Sequence, residues 1–211
     1  MIRRFVAISS LLTLTSTAAV SLAQPRPQGE LALGVDRVFG YSYSSTSYDD
    51  TDVERTSSEF SILGGRRAQS NFNAPRASID YFVADGVSIG GSLVYASSTE
   101  TLDIGGTEAE EDSSMLGLAP RVGYATMLSR GFGIWPRGGI TFISGEEANV
   151  DVSAVALSLE FPLLLAPSDY LAITLGPTLD YALTASAEAA GQDTDLSLTD
   201  FGIMAGLVGF L

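Results

Sequence analysis

Residues 76–98 read RASIDYFVADGVSIGGSLVYASS. The bulky apolar side chains fall on every second position: Ala77, Ile79, Tyr81 and Val83, then Val87, Ile89, Leu93 and Tyr95. Arg76, Ser78, Asp80, Ser88, Gly90, Ser92, Ala96 and Ser98 occupy the alternate positions, with Phe82 and Val94 as exceptions. A period of two is the signature of a β-strand, and Ala84-Asp85-Gly86 between the two runs is a tight turn. The stretch is therefore a hairpin with one greasy face and one small, polar face. A water-soluble barrel hides the greasy face inside; a membrane barrel turns it outward.

The same division recurs along the chain. In 170–184, Leu171, Ile173, Leu175, Leu179, Tyr181 and Leu183 oppose Ala172, Thr174, Gly176, Thr178, Asp180 and Ala182. In 114–128, Leu116, Leu118, Val122 and Tyr124 oppose Gly117, Ala119, Arg121, Gly123 and Ala125. Phe132, Ile134, Ile140 and Phe142 oppose Gly133, Trp135, Arg137, Gly139 and Thr141. Val155, Leu157, Leu159 and Phe161 oppose Ala154, Ala156, Ser158 and Glu160, and Phe201, Ile203 and Leu207 oppose Asp200, Gly202, Met204 and Gly206. The polar face carries too little charge for a solvated exterior and too much Gly, Ala, Ser and Thr for a soluble core. It suits the interior of a narrow barrel whose apolar face meets lipid. Segments of this length cross a bilayer as tilted strands, and only a closed barrel satisfies every backbone group in hydrocarbon.

Eight β-segments are predicted near 30–44, 70–83, 87–99, 114–128, 132–144, 152–165, 170–184 and 197–211. Three connections are tight turns, at 84–86, 129–131 and 167–169. Four are predicted as long loops: 45–69, 100–113, 145–151 and 185–196. Strict alternation of short and long connections is the mark of an up-and-down barrel between two different compartments. The fold class predicted is all-β, an eight-stranded antiparallel transmembrane barrel. APR at 74–76 and 119–121 and WPR at 135–137 form a weak repeat. Proline removes a ladder donor, so these prolines mark bulges or rim positions.

Composition narrows the chemistry. The 211 residues carry 25 acids against 11 bases, a net charge of −14, and every base is Arg. That balance repels nucleic acid. There is no Cys and no His, which excludes thiol chemistry, Ser-His nucleophilic catalysis and imidazole-bound zinc. No catalytic, cofactor or metal site is predicted, and the chain is expected not to be an enzyme. The opening MIRRFVAISSLLTLTSTAAVSLAQ reads as a signal peptide over 1–23, with Ser21 and Ala23 as the small residues before the cut. Residues 24–29, QPRPQG, follow as a short flexible lead, and 30–211 form the barrel.

The inward face predicts a lumen charge network of Arg76, Arg121 and Arg137 against Asp36, Asp80, Glu160, Asp180 and Asp200, since buried charges persist only when partnered. Ion pairs that plug the barrel are the expectation for about eight strands; a gated pore lined by the same groups is the alternative. Arg37 falls on the greasy parity of Leu33, Val35 and Phe39, and a bulge near Asp36 would turn it inward. Aromatics group by height: Tyr81, Tyr124 and Phe132 toward the tight turns, and Tyr41, Tyr95, Phe142, Tyr181 and Phe201 toward the long loops. They read as interfacial girdles.

On IDYFVADGVSIGGSLVY (79–95) and the C-terminal DFGIMAGLVGFL (200–211), the chain resembles the small bacterial outer-membrane β-barrels of OmpA/OmpX-like, porin-type character. The resemblance implies outer-membrane location, long loops outside, short turns in the periplasm, and insertion by the barrel-assembly machinery, which reads the last strand. The expected function is a non-enzymatic outer-membrane protein in envelope integrity or surface interaction through acidic loops. The alternatives are a small-solute or apolar-molecule pore, and a soluble ligand-binding barrel. Barrel enzymes of similar fold, such as lipid A deacylases, phospholipases and omptin-like proteases, use His. Expected partners are outer-membrane lipid and lipopolysaccharide. EAEEDSS (108–114) lacks the ordered spacing of a calcium loop and reads as solvated acid, though divalent cations bridging such loops to lipopolysaccharide phosphates are an expected contact.

Overall fold

The computed structural model describes residues 24–48, 54–62, 72–104, 107–147, 150–189 and 192–211. Eight barrel strands run in chain order. β1 is Leu31–Tyr48; β2 comprises Glu54–Ile62 and Arg76–Ala84; β3 is Val87–Ile104. β4 is Thr107–Tyr124 continued by Thr126–Ser129, and β5 is Phe132–Ile134 with Arg137–Glu147. β6 is Val150–Glu160 with Leu163–Ser168, β7 is Leu171–Ala189 and β8 is Gln192–Phe210. Each pairs antiparallel with its sequence neighbour, and β8 returns to β1 with Ala32 opposite Phe210, which closes the barrel. The predicted architecture is the observed one.

The greasy face points out. Ile79 and Ile89 are each 53 % exposed, whereas Asp80, between Ile79 and Tyr81, is 1 % exposed. Along β7 the large exposed side chains run from Leu171 to Leu183. Residues 171–183, at about 3.3 Å per residue and a tilt of about 40°, rise about 30 Å, a bilayer's hydrocarbon with its interfaces. Tyr81 and Tyr124 at the turn end, and Tyr41, Tyr95, Phe142, Tyr181 and Phe201 farther along, are all exposed.

The long loops are corrected by the structure. The acidic segments are mostly strand: β3 and β4 pair up to Ile104 opposite Thr107, β5 and β6 up to Glu147 opposite Val150, and β7 and β8 up to Ala189 opposite Gln192. These extensions project beyond the lipid band as a polar collar. A strand beyond the hydrocarbon is under no demand for an apolar face, and the alternation that betrays a strand is missing from the sequence here. Their backbones still satisfy one another across the ladder.

β2 departs most. Residues 54–62, within the predicted first loop, pair with β1 through Phe39 opposite Ile62, while 72–75, predicted as strand, leave the ladder. Phe72, Asn73 and Ala74 fold into the lumen and are buried. The β2–β3 ladder begins only at Arg76 opposite Val94. The lead at 24–29 also differs from its prediction: Gln24 and Pro25 pair with Met127 and Thr126, and the segment crosses the turn-side end of the barrel. Of the prolines, Pro136 and Pro162 stand at strand breaks beside one another, where the Trp135 amide donates to the Pro162 carbonyl at 2.9 Å. The missing donor explains each break.

Because the chain has no Cys, single labels test the orientation. A probe on Ile173→Cys in lipid vesicles should be quenched by brominated acyl chains, whereas Thr174→Cys should resist labelling until unfolding. The reverse pattern would overturn the inverted barrel.

Candidate functional site

The lumen is stacked in three layers. At the turn end lie Phe82, Trp135, Leu164, Val208 and Phe210 among small alanines. Toward the collar lie Phe72, Ile143, Ala154, Ala156 and Ala185, with Met115, Leu196 and Leu198 against them. Between them sits the ionic layer. Phe82 and Val94, the two exceptions to the opening alternation, are buried inward.

Arg121 is the hub. Its Nε and Nη2 donate to the two Asp80 oxygens at 3.1 and 2.6 Å, a bidentate pair, and its Nη1 donates to Asp36 Oδ2 at 2.7 Å. Arg137 Nη2 donates to Asp36 Oδ1 at 3.2 Å and stands 2.7 Å from Glu160 Oε2. Arg37 donates to Asp180 through Nη1 at 2.6 Å and to Glu160 through Nη2 at 3.1 Å. Ser158 Oγ also donates to Asp180, and Thr141 Oγ1 lies 2.6 Å from Ser158 Oγ. Glu160 thus meets Arg37, Arg121 and Arg137.

Glycine makes this density possible. A Cβ on Gly90 would collide with the Ile79 carbonyl oxygen and the Asp80 carboxylate, and one on Gly139 with Pro120 and Arg121. These glycines let the hub pair lie flat against the wall.

Arg37 enters through the bulge near Asp36. Its φ is 56°, a left-handed backbone that costs a non-glycine residue energy. Val35 pairs with Leu207 and Phe39 with Ala205, so three residues of β1 face one of β8. Consecutive residues Asp36 and Arg37 therefore both point inward, a placement strict parity misses.

Two predicted members stand apart. Arg76 touches no carboxylate among the described residues; it donates to the Phe72 carbonyl at 2.7 Å and to Thr141 Oγ1 at 3.4 Å. Asp200 accepts from Asn73 Nδ2 at 3.0 Å, and the same nitrogen donates to Ser42 Oγ at 2.6 Å. Both contacts depend on the in-folded 72–74 segment, which sequence reading placed in a strand. The clue lay in parity: Phe72 and Ala74 share the inward phase of Arg76 and Asp80. The Phe72 carbonyl also accepts from Arg37, so one neutral oxygen serves two guanidiniums.

Two small cavities adjoin the layer, one lined by Arg76, Ser92 and Thr141, the other by Arg37, Thr178 and Met204. Each has room for only a water or two. Unpaired polar atoms at their walls, Arg76 Nε and Ser92 Oγ in the first and Thr178 Oγ1 in the second, match such waters. This arrangement braces a wall. Among the described residues no group of three carboxylates converges on a metal.

No sequence-family model matches the chain, and no curated protein does. Among solved structures, Neisserial surface protein A aligns with a TM-score of 0.51 at 10 % identity, over 86 % of this chain and 99 % of that one. Outer membrane protein AlkL, determined by solid-state NMR in DMPC lipid bilayers, also aligns at 0.51, with 12 % identity over 88 % of this chain and 92 % of that one. At such identities the likeness shows the fold: that of a small outer-membrane β-barrel.

Removing the hub should cost more than any surface change. Arg121→Ala leaves Asp80 buried without a partner and Asp36 with one guanidinium fewer, a loss of about 3–5 kcal/mol for a broken buried pair. It should sharply lower the temperature at which the folded, fast-migrating gel band converts to the unfolded one. Arg121→Met combined with Asp80→Leu should recover part of that loss. A single variant that melts with the wild type would show the layer to be dispensable.

Proposed function

We propose that the chain is an integral outer-membrane barrel without catalytic activity, which holds a closed lumen and presents an acidic collar for contacts at the cell surface. The observation that carries this reading is the packing of the lumen among the described residues, an ionic layer capped by apolar layers on both sides, with two adjoining cavities that each hold only a water or two. The inward carboxylates, the obvious candidates for acid–base work in a chain without His or Cys, are engaged with arginines or with Asn73 and are shut away from solvent. Lipid A, phospholipid and peptide hydrolysis assays should all be blank.

Our reading places the collar outside the cell and the short turns in the periplasm, and the position of the first and last barrel strands supports it. The Leu31 and Leu211 backbones bond reciprocally at 3.0 and 2.8 Å at the turn end, so the start and finish of the barrel lie with the short turns. A strand pair inserted from the periplasm would leave both ends there, in keeping with a collar on the outside. In the collar, Glu146, Asp151 and Glu188 lie in register on three adjacent strands, all exposed. Like charges directly opposed across strands repel. Divalent cations relieve that repulsion and link such carboxylates to lipopolysaccharide phosphates. Millimolar calcium should raise the thermal transition of the wild type and leave the triple variant Glu146→Gln, Asp151→Asn, Glu188→Gln unmoved; equal shifts would remove the cation from the reading.

Planar-bilayer recording tests the closed lumen: the protein should give no stable conductance steps above a bare membrane, and large steps would refute it. A second reading, passage of apolar molecules, is favoured by one feature of the wall. Among the described residues, the outer half of β2 pairs only with β1, and β3 beyond Val94 pairs only with β4. The collar-side apolar layer lies at that height. Uptake of a fluorescent alkane into proteoliposomes, absent from empty vesicles and unaccompanied by ion flux, would select this second reading.

A further inference from the structure

Arg26, five residues ahead of β1, ties together several segments of the turn end. Its amide donates to the Ala125 carbonyl at 3.2 Å and its carbonyl accepts from Gly86 at 2.7 Å. Its guanidinium lies 3.5 Å from the centre of the Phe210 ring, donates from Nη2 to the Asp169 carbonyl at 3.1 Å and stands 3.4 Å from Glu30 Oε2. The segment around it is equally fixed: Gly29 donates to the Phe82 carbonyl at 2.8 Å, Phe82 donates back to Glu30 at 2.9 Å, and Gln28 bonds Asp85 and the Val83 carbonyl.

The Phe210 ring is continuous with the lumen. It lies 6.1 Å from Trp135 and 6.5 Å from Phe82, and Phe82 lies 5.7 Å from Trp135. On the far side of this aromatic layer Arg137 sits 4.9 Å from the Trp135 ring centre. The rings are therefore held between two guanidiniums, one belonging to the ionic layer and one supplied from outside by the lead. A ring face, a carboxylate and a carbonyl around a planar cation are the elements of a guanidinium site. The Glu30 carboxyl is pushed above its ordinary value by burial, against the pull of Arg26. Withdrawal of Arg26 would leave Glu30 without its cation.

We propose that the turn-side end of the lumen carries a guanidinium-binding site, formed by the Phe210 ring, the Glu30 carboxylate and the Asp169 carbonyl. The chain's own Arg26 occupies it as a latch, and occupancy keeps the aromatic layer closed to solvent on that side. Arg26 is a positioning residue: it holds the 24–30 strap across the barrel mouth.

Trp135, the single tryptophan and 1 % exposed, reports the latch directly. In folded protein in detergent, Arg26→Ala should raise acrylamide quenching of Trp135 fluorescence several-fold, with the folded gel mobility retained. Low-millimolar methylguanidinium should return quenching toward the wild-type value, and sodium chloride of equal ionic strength should not. Arg130→Ala, at an exposed turn, should quench like the wild type. Unchanged quenching in Arg26→Ala, or a rise that methylguanidinium fails to reverse, would overturn the site. Should Arg26→Ala not fold, Phe210→Leu, which removes the ring and leaves the strap charge, should show the same increased quenching; wild-type quenching there would equally overturn it.

Discussion

Inside hydrocarbon a peptide group has no water to bond, so every N–H and C=O in the spanning region must find another peptide. The rest of the molecule answers to that constraint. It closes the sheet by joining β8 to β1, forces the bulky aliphatic residues outward, and leaves a lumen so narrow that its filling must be small, apolar or paired. The ionic layer is a consequence of closure. The guanidiniums of Arg37, Arg121 and Arg137 and the carboxylates of Asp36, Asp80, Glu160 and Asp180 fit inside because they pair with one another, and glycines at the wall give them space.

Legibility in the sequence follows the solvent. Within the lipid band every outward residue is penalised for polarity, so alternation at Ile79, Ile89, Leu171 and Ile173 reads correctly, and it places Arg121, Arg137, Asp80, Glu160 and Asp180 on the face where the structure has them. Beyond the band that penalty vanishes. Ser, Thr and Glu then suit a water-washed strand as well as a loop, and 100–113 and 185–196 read as connections although the described backbone at 100–104, 107–113, 185–189 and 192–196 continues the ladder. Hydropathy records which solvent a residue meets; it does not record whether its backbone is paired.

Local departures from period two are the other blind spot. A bulge shifts parity at Arg37, and a positive φ there has no signature in residue type, because Arg has no preference for it. The in-folded 72–74 segment keeps the inward phase of Phe72 and Ala74 while abandoning the ladder, so the pattern survives and the secondary structure does not. The strap at 24–30 has no alternation at all; its anchoring through Arg26 depends on rings and carbonyls far away in the chain, which no local window contains.

The collar and the lumen differ in how tightly their residues constrain one another. Each charge of the ionic layer answers to partners on other strands, so an exchange at Arg121 or Glu160 demands compensation elsewhere. A collar side chain such as Glu146 or Glu188 faces water, and its backbone bonds the same way whatever the side chain. Mutational drift is thus cheap on the outward rim and costly within: related chains are free to diversify the face they show their surroundings while inheriting the same interior.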